Sequence, residues 1–159
     1  MTGQAAADDP KWMDAALAMA RDIYGTGNAP VASVIVRDGV QIGAGCNEST
    51  TKRDPVLHAE IVAIQDACRR VGSADLGGAT LYSTMEPCPM CAFAIVMAGI
   101  GRVVLGGRHI DLRRTDMGIY KFEALMAMVA RNVELVTGVR NAECIALRLE
   151  WVKANGRFM

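Results

Sequence analysis

The chain has 159 residues, 52% of them apolar, which suits one domain over residues 1–159 with a sizeable core. Its 17 Lys and Arg balance 17 Asp and Glu, so it lacks the basic footprint of a chain that holds nucleic acid, and no apolar run reaches membrane-spanning length. Residues 1–9 lack the basic, apolar, cleavable order of a secretion signal, and five cysteines at irregular spacings fit a reducing compartment, so a cytoplasmic location is expected.

Asp8-Asp9-Pro10, ahead of Trp12, Ala15, Ala16, Met19, Ala20 and Ile23, predicts a capped amphipathic helix with proline in its first turn and Gly25 and Gly27 as its stop. Residues 31–36 read as a strand covered on both faces, Asp38-Gly39 as a hairpin turn, and residues 41–46 as the returning strand. Asn47 follows, either as a turn residue or as an amide able to donate to and accept from a heterocycle. Asn28, before Pro30, is a weaker candidate of the same kind and reads first as a loop residue.

Asp54-Pro55 predicts the start of a helix whose core face carries Leu57, Ile61, Ile64, Cys68 and Val71, closed by Gly72. Residues 80–84 are the next strand, Pro89 opens an apolar helix, and residues 102–105 form another strand. This alternation of strand and helix favours parallel neighbours. Residues 106–120 are loop-like and contain Asp111, Asp116 and His109, the last assigned a surface or loop role. A Met-rich helix at 122–130, a strand at 133–137 and a helix at 141–153 complete the chain.

Two short runs concentrate the chemistry: Leu57-His58-Ala59-Glu60 and Glu86-Pro87-Cys88-Pro89-Met90-Cys91. His58, Cys88 and Cys91 offer one imidazole and two thiolates, a set that leaves one tetrahedral position of a zinc ion open for water. Glu60 is placed to carry that water's proton. A Cys-x-x-Cys can also be a redox dithiol or half of a structural zinc site, but Cys46, Cys68 and Cys144 supply no second pair.

His-x-Glu followed by Pro-Cys-x-x-Cys is the signature of the zinc nucleobase deaminases. With Asn47, Asp54-Pro55 and Leu81-Tyr82-Ser83-Thr84 around it, the chain resembles the cytidine deaminase superfamily along nearly its whole length. The resemblance implies a three-layer α/β/α fold with a mixed sheet of about five strands, one Zn2+ per chain, and a homodimer. It also implies hydrolytic deamination of a small-molecule base: guanine first, cytosine or a triazine next. Residues 47–55 look like bacterial guanine deaminases, in which an acidic residue ahead of Ile-Tyr-Lys serves as a second proton carrier. Asp116 occupies that place here, and is otherwise a loop carboxylate in water. The resemblance moves Asn47 towards substrate contact. It offers Trp151 or Phe158 as a cap on the base pocket, although Trp151 by itself reads as packing.

Two alternatives stand beside this. Thr137-Gly138 and Ala142-Glu143-Cys144 look like tRNA adenosine deaminases, whereas Met97-Ala98-Gly99-Ile100 lacks the polar and basic residues expected for RNA. A relative without activity, keeping zinc for stability and binding a nucleotide, would have no chemical need for Glu60.

Overall fold

A computed structural model describes residues 2–156, with side chains from residue 6 onward. Strands β1 (Ala32–Arg37), β2 (Val40–Cys46), β3 (Thr80–Met85), β4 (Arg102–Gly107) and β5 (Glu134–Thr137) form one sheet in the order β2-β1-β3-β4-β5. β1 is antiparallel to both β2 and β3, whereas β3, β4 and β5 run parallel. The helices are α1 (Thr2–Asp22), α2 (Ser49–Lys52), α3 (Ala59–Val71), α4 (Pro89–Met97), α5 (Phe122–Met128) and α6 (Asn141–Asn155). No described helix is long and apolar enough to cross a membrane.

Alternation along the central strands divides the core in two. Ile35, Leu81, Val103 and Leu105 face α3, α4 and α5, while Val34, Val36, Tyr82 and Val104 face α1 and α6. β1 is covered on both faces, as the run at 31–36 led one to expect. The mixed sheet between two helical layers is the expected three-layer arrangement.

The expectation of parallel neighbours holds from β3 onward and fails before it. β2 and β3 point the same way, but β1 lies between them, so the chain passing through α3 steps over a strand. The reason is burial: β1 is enclosed over most of its length and takes an inner position, whereas β2 begins exposed and stays at the edge.

The crossing of α3 is unusually close. A Cβ on Gly45 would stand 2.4 Å from the Ala63 nitrogen, and one on Gly43 would stand 2.6 Å from the Ala67 Cβ. Two glycines on the strand and Ala59, Ala63 and Ala67 on the helix thus bring backbone nearly onto backbone. This contact fixes the helix that carries Glu60.

Two helix starts differ from expectation. α1 begins at Thr2, with Pro10 inside it, and Asp9 is no cap. Its carboxylate is buried, receives Arg102 Nη1 and Nη2 at 2.8 and 2.9 Å, and accepts the Tyr82 hydroxyl at 3.0 Å. α3 begins at Ala59, not at Asp54, whose Oδ1 accepts the Val56 N–H at 3.0 Å in a turn that precedes the helix.

Candidate zinc-type active site

The two motifs meet because each ends at a helix start. His58 is the N-cap of α3 and Cys88 the N-cap of α4, both with extended backbone, and neither side chain spends itself on a capping hydrogen bond. Pro89 supplies the first helical position after Cys88, and Cys91 follows within the first turn. The free side chains converge. His58 Nδ1 is 3.5 Å from Cys88 Sγ and 3.6 Å from Cys91 Sγ, and the sulfurs are 3.6 Å apart.

That triangle fits zinc. Tetrahedral ligands with Zn–S of about 2.3 Å and Zn–N of about 2.0–2.1 Å stand about 3.6–3.8 Å from one another. These three residues form a group with metal-binding spacing, and the donor set is that of a site with an open position. Contact with Cys91 pulls the Cys88 thiol down to about 4 against the opposing effect of burial, with His58 adding to the pull, while the same contact holds the Cys91 proton on. A zinc ion held by the three residues would favour the thiolate form of both cysteines.

Glu60 is 3% exposed, and burial raises its carboxyl above the ordinary range. Beneath it lies a short relay across the sheet. Ser33 Oγ donates to Ser83 Oγ at 3.0 Å, and Ser83 Oγ donates to Glu60 Oε1 at 3.3 Å. The carboxylate is therefore oriented from β1 and β3 rather than left to rotate.

Glu86 braces the opposite side. It accepts Arg108 Nε at 3.0 Å and Nη2 at 2.8 Å, the His109 N–H at 3.0 Å and the Phe122 N–H at 2.9 Å. Tyr120 adds a hydroxyl bond to the Pro87 carbonyl at 2.8 Å. Both ends of the 108–121 connection are thereby tied to the residues beside Cys88. The resulting cavity is small and open to solvent. Asn47, His58, Glu60, Cys88, His109 and Arg148 are among its walls.

The family model of the cytidine and deoxycytidylate deaminase zinc-binding region matches residues 6–107, which include every residue of the triangle and Glu60. The chain belongs to this family. Among its relatives is a tRNA-specific adenosine deaminase of Bacillus subtilis, 34% identical over 86% of this chain and 83% of the relative. A guanine deaminase of the same organism is 42% identical over 58% of this chain and 61% of the relative. The solved guanine deaminase of Nitrosomonas europaea superposes with a TM-score of 0.77 at 27% identity, covering 89% of this chain and 83% of the other.

Within this deaminase site the residues singled out in the sequence fare differently. His58, Cys88, Cys91 and Glu60 are brought together. Asn47 lines the cavity; its Oδ1 accepts the Ser49 N–H at 3.0 Å and the Ser49 hydroxyl at 2.8 Å, and no hydrogen bond engages its Nδ2 among the described residues. Asn28 is spent on structure: Oδ1 accepts the Thr50 and Thr51 N–H groups, and Nδ2 donates to the Thr26 and Thr51 hydroxyls. Asp116 is turned to Arg114, and the cavity wall is formed by Arg114 and Met117 beside it. Trp151 is buried away from the cavity lining, beneath Arg148 at 4.6 Å. Phe158 lies outside the described residues.

His109 corrects the expectation. It is on a loop but buried, 6% exposed, and faces the cavity. Glu86 and Arg148 were not anticipated. The signal for Glu86 was its adjacency to Pro87-Cys88. For Arg148 it was helical spacing: Cys144, Arg148 and Trp151 form the buried stripe of α6, where a charge is out of place.

Proposed function

We propose that the chain is a hydrolytic deaminase of a free aminated heterocyclic base, guanine-type first, with cytosine or an s-triazine next. The observation that supports the reading is one buried carboxylate, Glu60, beside a three-ligand metal triangle at the wall of a small cavity. Zinc held by His58, Cys88 and Cys91 would supply the Lewis acidity that makes water nucleophilic near neutral pH.

Glu60 does the proton work. It takes a proton from the attacking water and delivers it to the ring nitrogen beside the carbon under attack. The exocyclic amine then takes the remaining proton of the added hydroxyl, the carbon–nitrogen bond breaks, and ammonia departs, leaving a ring carbonyl. Burial keeps the Glu60 carboxyl able to hold a proton as well as release it. Asp116 enters this reading as a second proton carrier, available once its pairing with Arg114 is exchanged for substrate. Asn47 Nδ2 donates to a ring acceptor.

A free base is favoured over RNA by the absence of net positive charge and by exposed Met97, 76% accessible, at the end of α4. The similarity to a tRNA-specific adenosine deaminase supports the second reading, an adenosine flipped out of an RNA loop. Incubating the protein with guanine, cytosine, ammeline and a tRNA anticodon stem-loop, and following ammonia, decides between them. Ammonia from RNA alone would overturn the first reading. A homodimer belongs to the same proposal: Phe93 and Met97, one turn apart and exposed on α4, give an apolar strip for a second copy, and sedimentation tests it.

A further inference from the structure

Four charged Glu and Arg side chains line the cavity, and two of them are neutralised by partners: Glu86 by Arg108 at 2.8 Å, and Arg114 by Asp116. The other two are Glu60 and Arg148. Arg148 is 3% exposed, its Nη1 has no hydrogen-bond partner, and no ion pair reaches it among the described residues. Its contact is the Trp151 ring, 4.6 Å behind the guanidinium, which holds the plane in place without accepting from its N–H groups. Next to it in the wall, both ring nitrogens of His109 are also buried and unpartnered.

Native proteins pair their buried polar groups, and a buried cation above all, so an enclosed guanidinium with nothing to donate to marks the place of a ligand atom. The charge count states what kind. One carboxylate and one guanidinium cancel, so the cavity suits a ring of no net charge with its amidine edge towards Glu60 and an acceptor towards Arg148. A phosphate would leave surplus negative charge among these walls. Adenine carries no oxygen; guanine, cytosine and ammeline each carry one beside their amidine nitrogens.

We propose that Arg148, seated on Trp151 and flanked by His109, is the specificity residue that reads an exocyclic oxo group on the substrate ring, selecting aminated oxo-heterocycles over aminated rings without oxygen. This rests on the free-base reading and sharpens it. His109 contributes one donor and one acceptor to the same ring edge.

The test pairs substrates that differ in that oxygen: guanine against 2-aminopurine, and cytosine against 4-aminopyrimidine. Arg148→Met removes the donors at similar bulk and is expected to lower kcat/KM for the oxo member by about 10- to 100-fold, the worth of a hydrogen bond to a charged group, with no loss on the other member. Its Tm is expected to equal or exceed that of the wild type, because the residue it replaces is an unpaired buried charge. An equal fall on both members, no fall, or a lowered Tm would overturn the proposal. Arg148→Gln serves in the same assay if the Met variant does not fold. Calorimetric titration with hypoxanthine and with purine, neither of which can lose an amine, separates this proposal from the deaminase reading. Hypoxanthine bound more weakly by the variant, and purine unchanged, supports the role of Arg148 even if no free base releases ammonia. Hypoxanthine bound no better than purine by the wild type sinks it.

Discussion

The cavity has two walls of opposite character. On one, His58, Cys88, Cys91 and Glu60 lie within a few residues of two helix starts, each held by a neighbour: sulfur to sulfur, imidazole to sulfur, carboxylate to the Ser83–Ser33 relay. On the other, Asn47, His109 and Arg148 come from three separated parts of the chain, and each keeps polar atoms unengaged. The first wall is held in place by contacts within the protein. The second is complete only when something fills it. On the reading proposed above, the contrast separates the residues of the hydrolysis from those that choose its target, which lie on the loop after β4 and on α6.

The comparison can be broken most severely at the ion. Cys91→Ala is expected to lose bound zinc and all measurable turnover, with elemental analysis and ammonia release as the two readouts. Glu60→Gln should lower turnover by about 10²–10⁴-fold with zinc content unchanged; loss of the ion in this variant would make Glu60 a ligand instead. Next comes the scaffold of the same wall. Gly45→Ala forces a Cβ to within 2.4 Å of the Ala63 nitrogen, so α3 must move outward, at a cost of about 3 kcal/mol read by denaturant melts.

A smaller effect is expected at Glu86, which links the two walls. Burial alone would raise its carboxyl, but hydrogen bonds from Arg108 and the Phe122 and His109 N–H groups outweigh that and hold it below the ordinary value of 4.5. Its contribution is therefore fully present above the unfolded value and is lost as pH falls through the lower folded one. Glu86→Gln should cost about 1–2 kcal/mol near neutrality. The gap to wild type should narrow as pH falls below 4.5 and close once the lowered folded value is passed, when both are melted in chelator. A gap that widens in acid would reverse the assignment. At the bottom of the scale, Asp14→Asn removes an exposed pair with Arg140 and should leave Tm unchanged.

The two walls were unequally legible in the sequence. A ligand two residues from a carboxylate, and two ligands three residues apart, announce themselves at helix starts, because local backbone geometry decides where they point. Asp9-Pro10 shows the limit of that logic: it has the form of a helix start, yet Asp9 is claimed by Arg102, which no local rule foresees. Asn28 keeps the loop role it read as first, with its amide engaged by Thr26 and by a short helix, α2, that four residues of modest propensity did not announce. His109 and Arg148 gain meaning only when β4, the following loop and α6 are folded onto the motif. The five strands were readable from their patterning, whereas the three-layer arrangement came from the resemblance, and the crossover over β1 depends on relative burial and not on order.

One feature of the first wall bears on how such a chain can change. Since His58 and Cys88 are boundary residues of their helices, and each further step along a helix turns by about 100°, an extra amino acid between His58 and Glu60 would swing the carboxylate away from the ligands, and one between Cys88 and Cys91 would swing a thiol out of their ring. Added length in the connections at 47–57 or 108–121 would leave those directions untouched. The interval within each motif is thus rigid, while the surrounding loops are free to drift and to reshape the pocket mouth.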